Sequence, residues 1–235
     1  MSDLPEKNQG GYYTVRIRFS KVGSLQYISH LDLIRTLSKV LVRARFPLWY
    51  TEGFNPKPKI SYAAPLSVGT ESLCEYMDLR FTEYVGEAIV RETLNRNLTD
   101  EMRVFAVYYP QTKLTELTWL SYEIRLHTGG AGDELAAACR AALSANPLII
   151  RKQGKAGERE VDIRPAIRSF SVVAEGGELL LRCVLRADSA AFLNPEHLLR
   201  ILKERCGVLS DPVLTNEWYT ILRTEAYNAS GEPFV

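Results

Sequence analysis

The clearest structural signal in this sequence is the alternating stretch Tyr13-Thr14-Val15-Arg16-Ile17-Arg18-Phe19-Ser20. Its apolar members fall on one side of an extended chain, and its polar members fall on the other. Because successive side chains of a strand point to opposite faces, this pattern predicts a strand with one buried face. We expect Arg16 and Arg18 on the other, polar face.

A helix is predicted to follow, from His30 to about residue 45. Ser29 is suited to be its N-cap, and the carboxylate of Asp32 in the first turn favours the helix dipole. Apolar residues keep helical spacing at Leu33, Ile34, Leu37, Val40, Leu41 and Ala44. A second face carries a basic row at Arg35, Lys39 and Arg43. Such a row is either a solvated surface or a ligand-binding one.

The next segment has an unusual composition and reads Glu52-Gly53-Phe54-Asn55-Pro56-Lys57-Pro58-Lys59-Ile60-Ser61. Its glycine and two prolines disfavour a helix or a central strand, so we expect a shaped loop. Lys57 and Lys59 would point the same way in an extended run, and Asn55 and Ser61 add neutral hydrogen-bonding groups. This combination suits an anionic ligand. A proline-stiffened hairpin whose lysines keep a sheet edge soluble explains it equally well.

The predicted elements follow the order strand, helix, two strands, helix, strand, which is the βαββαβ order of a ferredoxin-like domain. The second half repeats this order, with strands and helices at 119–128, 133–144, 148–152, 170–174, 178–185, 194–205 and 218–224. We therefore predict an α+β protein of two tandem ferredoxin-like halves with antiparallel sheets. The expected parts are a disordered N-terminus 1–11, domains 12–110 and 118–227, and a frayed tail 228–235.

Composition narrows the class of protein. The chain has 235 residues, of which 46% are hydrophobic and 24% are charged, as in soluble globular proteins. Residues 11–60 contain nine basic and two acidic side chains, although the net charge of the whole chain is only +1. No stretch resembles a membrane span or a secretory signal, so we expect a cytoplasmic protein without membrane contact. The spacing of Cys74, Cys139, Cys183 and Cys206 predicts isolated buried thiols and no metal site.

Three titratable residues, His30, Asp32 and Glu52, could join the basic loop in one cleft. His30 at a helix start would feel the positive end of the dipole, which suits a neutral acid or base, although a packed histidine is the alternative. Enzyme motifs such as GxGxxG, HExxH and GxSxG are absent from the sequence, which favours a binding protein. The predicted substrate-binding residues are Arg16, Arg18, Arg35, Lys39, Asn55, Lys57, Lys59 and Ser61. Aromatic residues for base stacking would be Tyr27, Trp49, Tyr50 or Phe54.

Several motifs in order carry a resemblance to a known family. They are Phe19-Ser20-Lys21, Ile28-Ser29-His30-Leu31-Asp32-Leu33, the loop 52–61, Pro65-Leu66, Gly69, Glu71-Ser72 and Glu75-Tyr76-Met77-Asp78. Over roughly residues 12–200 the chain resembles a stand-alone member of a bacterial radical-SAM-linked family of unknown function. The family's loop often has a histidine between the prolines, whereas this chain has Lys57, which speaks against a metal or acid/base role there.

The resemblance implies an accessory protein for a separate radical SAM enzyme or an E/G-type ribonuclease. Any S-adenosylmethionine and [4Fe-4S] cluster would belong to that partner, because this chain lacks a CxxxCxxC motif and is expected to hold no cofactor itself. We therefore expect an accessory protein that binds RNA or another phosphate-bearing substrate. The alternatives are an enzyme that uses His30 as acid or base, and a protein–protein adaptor.

Overall fold

The structure is a computed structural model that describes residues 5–154, 157–188, 191–210 and 216–235. The chain divides into two compact units, one containing the residues up to Leu117 together with Pro233–Val235, the other Thr118–Glu232. Both units combine helices with antiparallel sheets, which confirms the predicted α+β class. Residues 1–4, part of the predicted disordered N-terminus, lie outside the described residues.

Unit 1 contains four strands and two longer helices within its described residues. They are β1 (Tyr13–Lys21), α1 (His30–Arg43), β2 (Ile60–Tyr62), β3 (Thr70–Phe81), α2 (Glu87–Asn97) and β4 (Val104–Tyr108). The strands lie in the order β4-β1-β3-β2, and each neighbouring pair is antiparallel. The apolar side of β1 packs with α1 and α2 into one core, since Val15, Ile17 and Phe19 are buried in one cluster with Leu37 and Leu94.

The start of α1 confirms the predicted cap, and its end differs slightly. The backbone N–H of Asp32 donates to Ser29 Oγ at 3.2 Å, and Ser29 Oγ donates to Asp32 Oδ2 at 2.7 Å. The helix ends at Arg43, two residues earlier than predicted. Arg45 has a φ of 55°, a left-handed conformation that a helix cannot contain.

The polar side of β1 is covered rather than exposed, which corrects the predicted open basic face. Arg16 is 0% exposed. The C-terminal residues pack nearby, because Phe234 is buried and its ring centre lies 4.8 Å from Arg16 Cζ. Tyr76 Oη donates to the Phe234 carbonyl at 3.0 Å. The prediction that residues 228–235 fray is therefore wrong for residues 233–235.

Both predicted mobile ends contain hydrogen-bonded turns. The backbone N–H of Gly11 donates to the Asn8 carbonyl at 2.8 Å, so the disorder predicted for residues 1–11 does not extend to residues 8–11. Near the C-terminus, Asn228 Oδ1 accepts from the backbone N–H groups of Gly231 at 2.9 Å and Glu232 at 3.0 Å. These side-chain caps close a turn that composition alone did not reveal.

Unit 2 repeats the order of elements and adds a separate hairpin. Its elements are β5 (Trp119–His127), α3 (Asp133–Leu143), β6 (Ile149–Gly154), β7 (Gly157–Asp162), β8 (Ile167–Glu175), β9 (Glu178–Arg186), α4 (Glu196–Cys206) and β10 (Trp218–Tyr227). The main sheet has the order β10-β5-β9-β8, and β6 pairs only with β7. Where β7 lies, the sequence predicted a glycine- and charge-rich turn at 153–160, followed by an extended segment at 161–167 that Pro165 interrupts. Because β7 is exposed along most of its length, its charged side chains do not alternate with apolar ones. The sequence therefore lacks the pattern that predicts a strand there.

Candidate nucleic-acid interface

The glycine- and proline-containing loop forms a hairpin in unit 1, which we call the 49–59 hairpin. The backbone N–H of Thr51 donates to the Lys57 carbonyl, and that of Lys59 donates to the Trp49 carbonyl, both at 2.8 Å. Both ends of the hairpin are attached to β3. The N–H of Trp49 donates to the Arg80 carbonyl at 2.7 Å, and β2, which begins at Ile60, pairs with residues 77–79. The loop thus projects from the sheet as a hairpin that β3 holds at both ends.

The tip of the 49–59 hairpin exposes an aromatic ring together with polar side chains. Gly53 has a φ of 118°, which a residue with a side chain adopts only under strain. The next side chain, Phe54, is fully exposed, and Asn55 and Lys57 are exposed beside it, while Lys59 is half-buried. Large aromatic side chains usually avoid full exposure, so a solvent-facing Phe at the tip of the hairpin points to a partner surface.

The start of α1 lies against the foot of the same hairpin. The rings of His30 and Tyr62 make an edge contact with centroids 5.5 Å apart, and Tyr62 ends β2. The basic row of Arg35, Lys39 and Arg43 is exposed along α1, and Ser61 is exposed on β2. Arg35 Nη1 lies 3.2 Å from Asp32 Oδ1, but both side chains are mostly exposed, so this ion pair contributes little stability.

The three candidate catalytic residues do not form a hydrogen-bonded group among the described residues. Asp32 caps α1, and the hydrogen bond from Ser29, followed by Arg35, holds the pKa of its carboxyl below the usual value. His30 is half-buried against Tyr62, and Glu52 is exposed at the hairpin. Asp32 therefore caps the helix, and neither Asp32 nor Glu52 is hydrogen-bonded to His30 in the described chain.

Arg16 lies away from any surface, so it cannot take the phosphate-binding role predicted for it. Its guanidinium donates to both carboxylate oxygens of Asp78, at 2.8 and 3.0 Å, and to Thr112 Oγ1 and carbonyl, at 2.8 and 2.9 Å. Burial raises the pKa of Asp78, and the hydrogen bond and charge of Arg16 oppose that rise. The guanidinium of Arg18 is half-buried at 5.9 Å from the centre of the Tyr76 ring. The polar side of β1 therefore contributes to packing within the fold and is not an open ligand-binding surface.

Three of the four cysteines are buried, and two of the four lie close to each other in unit 2. Cys139 on α3 lies within hydrogen-bonding reach of Cys206 on α4, so these two thiols are not isolated as predicted. Burial, then Cys206, raises the pKa of Cys139 to about 12, and burial raises that of Cys183 to about 12. The described residues contain no cluster of three His, Cys, Asp or Glu groups arranged for a metal ion. Within those residues, every helix is too short or too polar to cross a bilayer.

A second basic group, in unit 2, was not singled out from the sequence. It consists of Lys152 on β6, Arg159 on β7, and His197 and Arg200 on α4. The sequence indicated only that residues 194–197 start a helix. The pairing of the β6 and β7 residues, and the docking of α4 on β6, depend on register and tertiary packing, which local patterns do not encode.

Comparison with known proteins adds little about function. No curated protein matches this chain. A chain in the crystal structure of a Cbf5-Nop10-Gar1 complex is similar with a TM-score of 0.48 and 13% identity, over 90% of this chain and 48% of that one. This chain thus spans about half the length of that match. An unknown protein from Galdieria sulphuraria is similar with a TM-score of 0.26 and 9% identity, over 90% of this chain and 98% of that one. Likenesses this weak carry no functional argument.

One family model matches residues 14–195, and it is described as an uncharacterized protein conserved in bacteria, DUF2344. The uncharacterised bacterial family expected from the motifs is thus found. Its description mentions neither radical SAM enzymes nor RNA, so those links stay predictions. Because the match spans more than half of the chain, the protein belongs to the DUF2344 family of uncharacterised bacterial proteins.

Proposed function

We propose that this protein is an accessory factor that binds single-stranded RNA through the 49–59 hairpin. The observation that carries the proposal is the fully exposed Phe54 at the tip of a hairpin anchored on β3. A nucleobase stacked on an aromatic side chain contributes about 1–3 kcal/mol, without strong sequence preference. The backbone hydrogen bonds of the hairpin and its attachment to β3 reduce the entropic cost of this contact, because the chain that carries Phe54 is already positioned.

Phosphate contacts would come from cations near Phe54. Lys57 is exposed and Lys59 half-buried on the same strand of the hairpin, and Asn55 and Ser61 offer hydrogen bonds. The exposed row on α1, formed by Arg35, Lys39 and Arg43, would extend the positive surface. Arg16 drops out of this set because it is buried, and Arg18 because it lies on β1, outside both the hairpin and α1. The remaining cations would neutralise phosphates and make binding depend on salt.

The accessory role and the detailed fold are part of the same proposal. Each unit has the element order βαββαβ, apart from the added hairpin of unit 2, and a sheet order of fourth, first, third and second strand. This order supports two ferredoxin-like domains. The motif resemblance supports a separate radical SAM enzyme or E/G-type ribonuclease as the partner that performs chemistry. Any S-adenosylmethionine or [4Fe-4S] cluster would be bound by that partner.

The test is the affinity for a fluorescent single-stranded RNA across a salt series. Phe54→Ala should weaken binding by about tenfold or more, since one stacking contact is lost. The matched control is Phe105→Ala, because Phe105 is 52% exposed but lies on β4, at the opposite edge of the unit 1 sheet. Replacing Lys57 and Lys59 by alanine should flatten the salt dependence by about two phosphate contacts.

Two outcomes would reject the proposal that the 49–59 hairpin binds RNA. One is no binding at low salt, and the other is an equal effect of Phe54→Ala and Phe105→Ala. The exposed apolar side chains Leu31 (62%) and Tyr27 (69%), near the start of α1, favour a protein–protein adaptor as the second candidate. In that case Phe54→Ala should disrupt a copurifying complex while RNA affinity is absent throughout.

A further inference from the structure

The hairpin of unit 2 places like charges opposite each other. In the register of β6 and β7, Lys152 is the direct partner of Arg159. The neighbouring pair, Arg151 and Glu160, has opposite charges, with Nε and Oε1 at 3.7 Å. Directly opposed like charges destabilise a two-stranded sheet. The pairing of Lys152 with Arg159 therefore costs stability unless an anion lies between the two side chains.

Helix α4 adds two more basic groups to the same place. Arg200 Nη2 donates to the Arg151 carbonyl at 2.8 Å, which holds the helix against β6. His197 lies three residues before Arg200, on the same side of the helix. Burial, then Lys152, then Arg200, lower the pKa of His197 to about 4. Burial, then Arg159 and Arg200, also lower the pKa of Lys152. The four groups thus feel one another's charge.

In the described chain the nearby acidic residues form no ion pair with Lys152 or His197, although Glu204 pairs with Arg200 and Glu158 lines a groove with Arg200. Glu160 pairs with Arg151, and Glu196 accepts hydrogen bonds from Tyr219 Oη at 3.1 and 3.2 Å. Glu204 lies 3.9 Å from Arg200, a long contact between two largely exposed side chains. In the described chain, the side chains of Lys152 and His197 make neither a hydrogen bond nor an ion pair, although both are half-buried. A partly buried lysine without a counter-charge is costly, and a bound anion removes that cost.

We propose that Lys152, Arg159, His197 and Arg200 form a binding site for a phosphate group, present as a monoester or a diester. The two guanidinium groups can each donate in parallel to phosphate oxygens, and Lys152 contributes a compact charge. His197 becomes a fourth charged donor when the anion favours its protonated form. This site is independent of the 49–59 hairpin, because all its residues belong to unit 2.

A neighbouring groove indicates where the rest of a ligand would lie. Arg200 also lines a groove of about 440 Å³ whose walls include Leu199, Trp218 and Tyr219. Its volume is in the range of small-ligand pockets, and its aromatic side chains can stack on a planar ring. A nucleotide could thus place its phosphate on the basic group and its base in the groove.

The experiment follows the titration of His197 by NMR, with and without inorganic phosphate, in the intact protein. Phosphate should raise the pKa of His197 from about 4 toward its ordinary value near 6.5. Lys152→Met should abolish most of this change and should fold normally, because it removes a repulsion. Lys39→Met is the matched control: it alters the row on α1 and should leave the His197 titration unchanged.

Titrations with other phosphate compounds identify which kind of phosphate the site binds. Adenosine monophosphate binding more tightly than ribose 5-phosphate would assign the groove to a base, and equal affinities would restrict the site to phosphate. A short RNA binding more tightly than either would indicate a diester. An unchanged His197 titration at about 10 mM of every ligand would overturn the proposal, since this corresponds to affinities weaker than millimolar. That result would leave the Phe54 test in unit 1 unaffected.

Discussion

Arg16 in unit 1 and Lys152 in unit 2 are both cations on strands, yet the two regions treat them in opposite ways. The strand partner of Arg16 is Asp78, whereas the strand partner of Lys152 is Arg159. Arg16 is completely buried and its donors are occupied by Asp78 and Thr112. Lys152 is half-buried and has no ion pair in the described chain. Arg16 thus finds its counter-charge within the fold, whereas the counter-charge proposed for Lys152 is a bound phosphate group.

The first prediction tests the structural half of this comparison and has the largest effect. Arg16→Met should lower the free energy of unfolding by about 3–5 kcal/mol, because it leaves Asp78 buried without its partner. Urea denaturation at pH 7 measures the change. Arg35→Met, on the exposed surface of α1, should change it by less than about 0.5 kcal/mol. A loss below about 1 kcal/mol for Arg16→Met would contradict the structural role.

A second prediction concerns the residues that cover Arg16. Phe234 is 2% exposed and contacts both Arg16 and Tyr76, so Phe234→Ala should cost about 3 kcal/mol of unfolding free energy. The neighbouring Val235 is 67% exposed, and Val235→Ala should be nearly neutral. If both variants unfold at the wild-type urea concentration, the C-terminal residues do not pack on β1 in solution.

A smaller effect is expected in the pH dependence of unit 2. The pKa of His197 in the folded protein is lowered to about 4, below its ordinary value near 6.5. Between these values the unfolded chain binds more protons, so the free energy of unfolding should fall as the pH decreases from 6.5 to 4. His197→Gln should flatten this part of the curve, measured by urea denaturation at several pH values. His127→Gln, made in parallel, is the control, and equal slopes in wild type and His197→Gln would contradict the prediction.

The smallest change in stability is expected for Lys152, the cation that is compared with Arg16. Lys152→Met should leave the free energy of unfolding unchanged or raise it by up to about 0.5 kcal/mol, because it removes the repulsion from Arg159 without stranding a charge. Thermal unfolding in phosphate-free buffer is the suitable measurement. A loss above about 1 kcal/mol would show that Lys152 supports the fold, and the contrast with Arg16 would then fail.

Local patterns predicted a large part of the fold and of the 49–59 hairpin. Alternation in residues 13–20 identified β1, and the Ser29 cap placed the start of α1 correctly. Gly53 and the two prolines predicted a shaped loop, and a hairpin is found there. These features depend on the steric limits and hydrogen bonds of residues close in sequence, so the sequence reveals them directly.

The roles of the charged residues could not be predicted in this way, because they depend on contacts between residues far apart in the sequence. Arg16 and Arg18 alternate like solvent-facing residues, but the packing of Phe234 and the pairing with Asp78, 62 residues away, make Arg16 a core residue. The basic group of Lys152 and His197 could not be predicted for the same reason, because it forms only when α4 packs against β6.

The amino-acid sequence was therefore sufficient for the α+β class, the main elements and the exposed hairpin, because short-range sterics and periodicity specify them. Tertiary structure alone established which cations are paired and which lack a counter-charge. That distinction depends on strand register and on residues far apart in the chain, and the strength of a charge interaction depends on the burial that only packing creates.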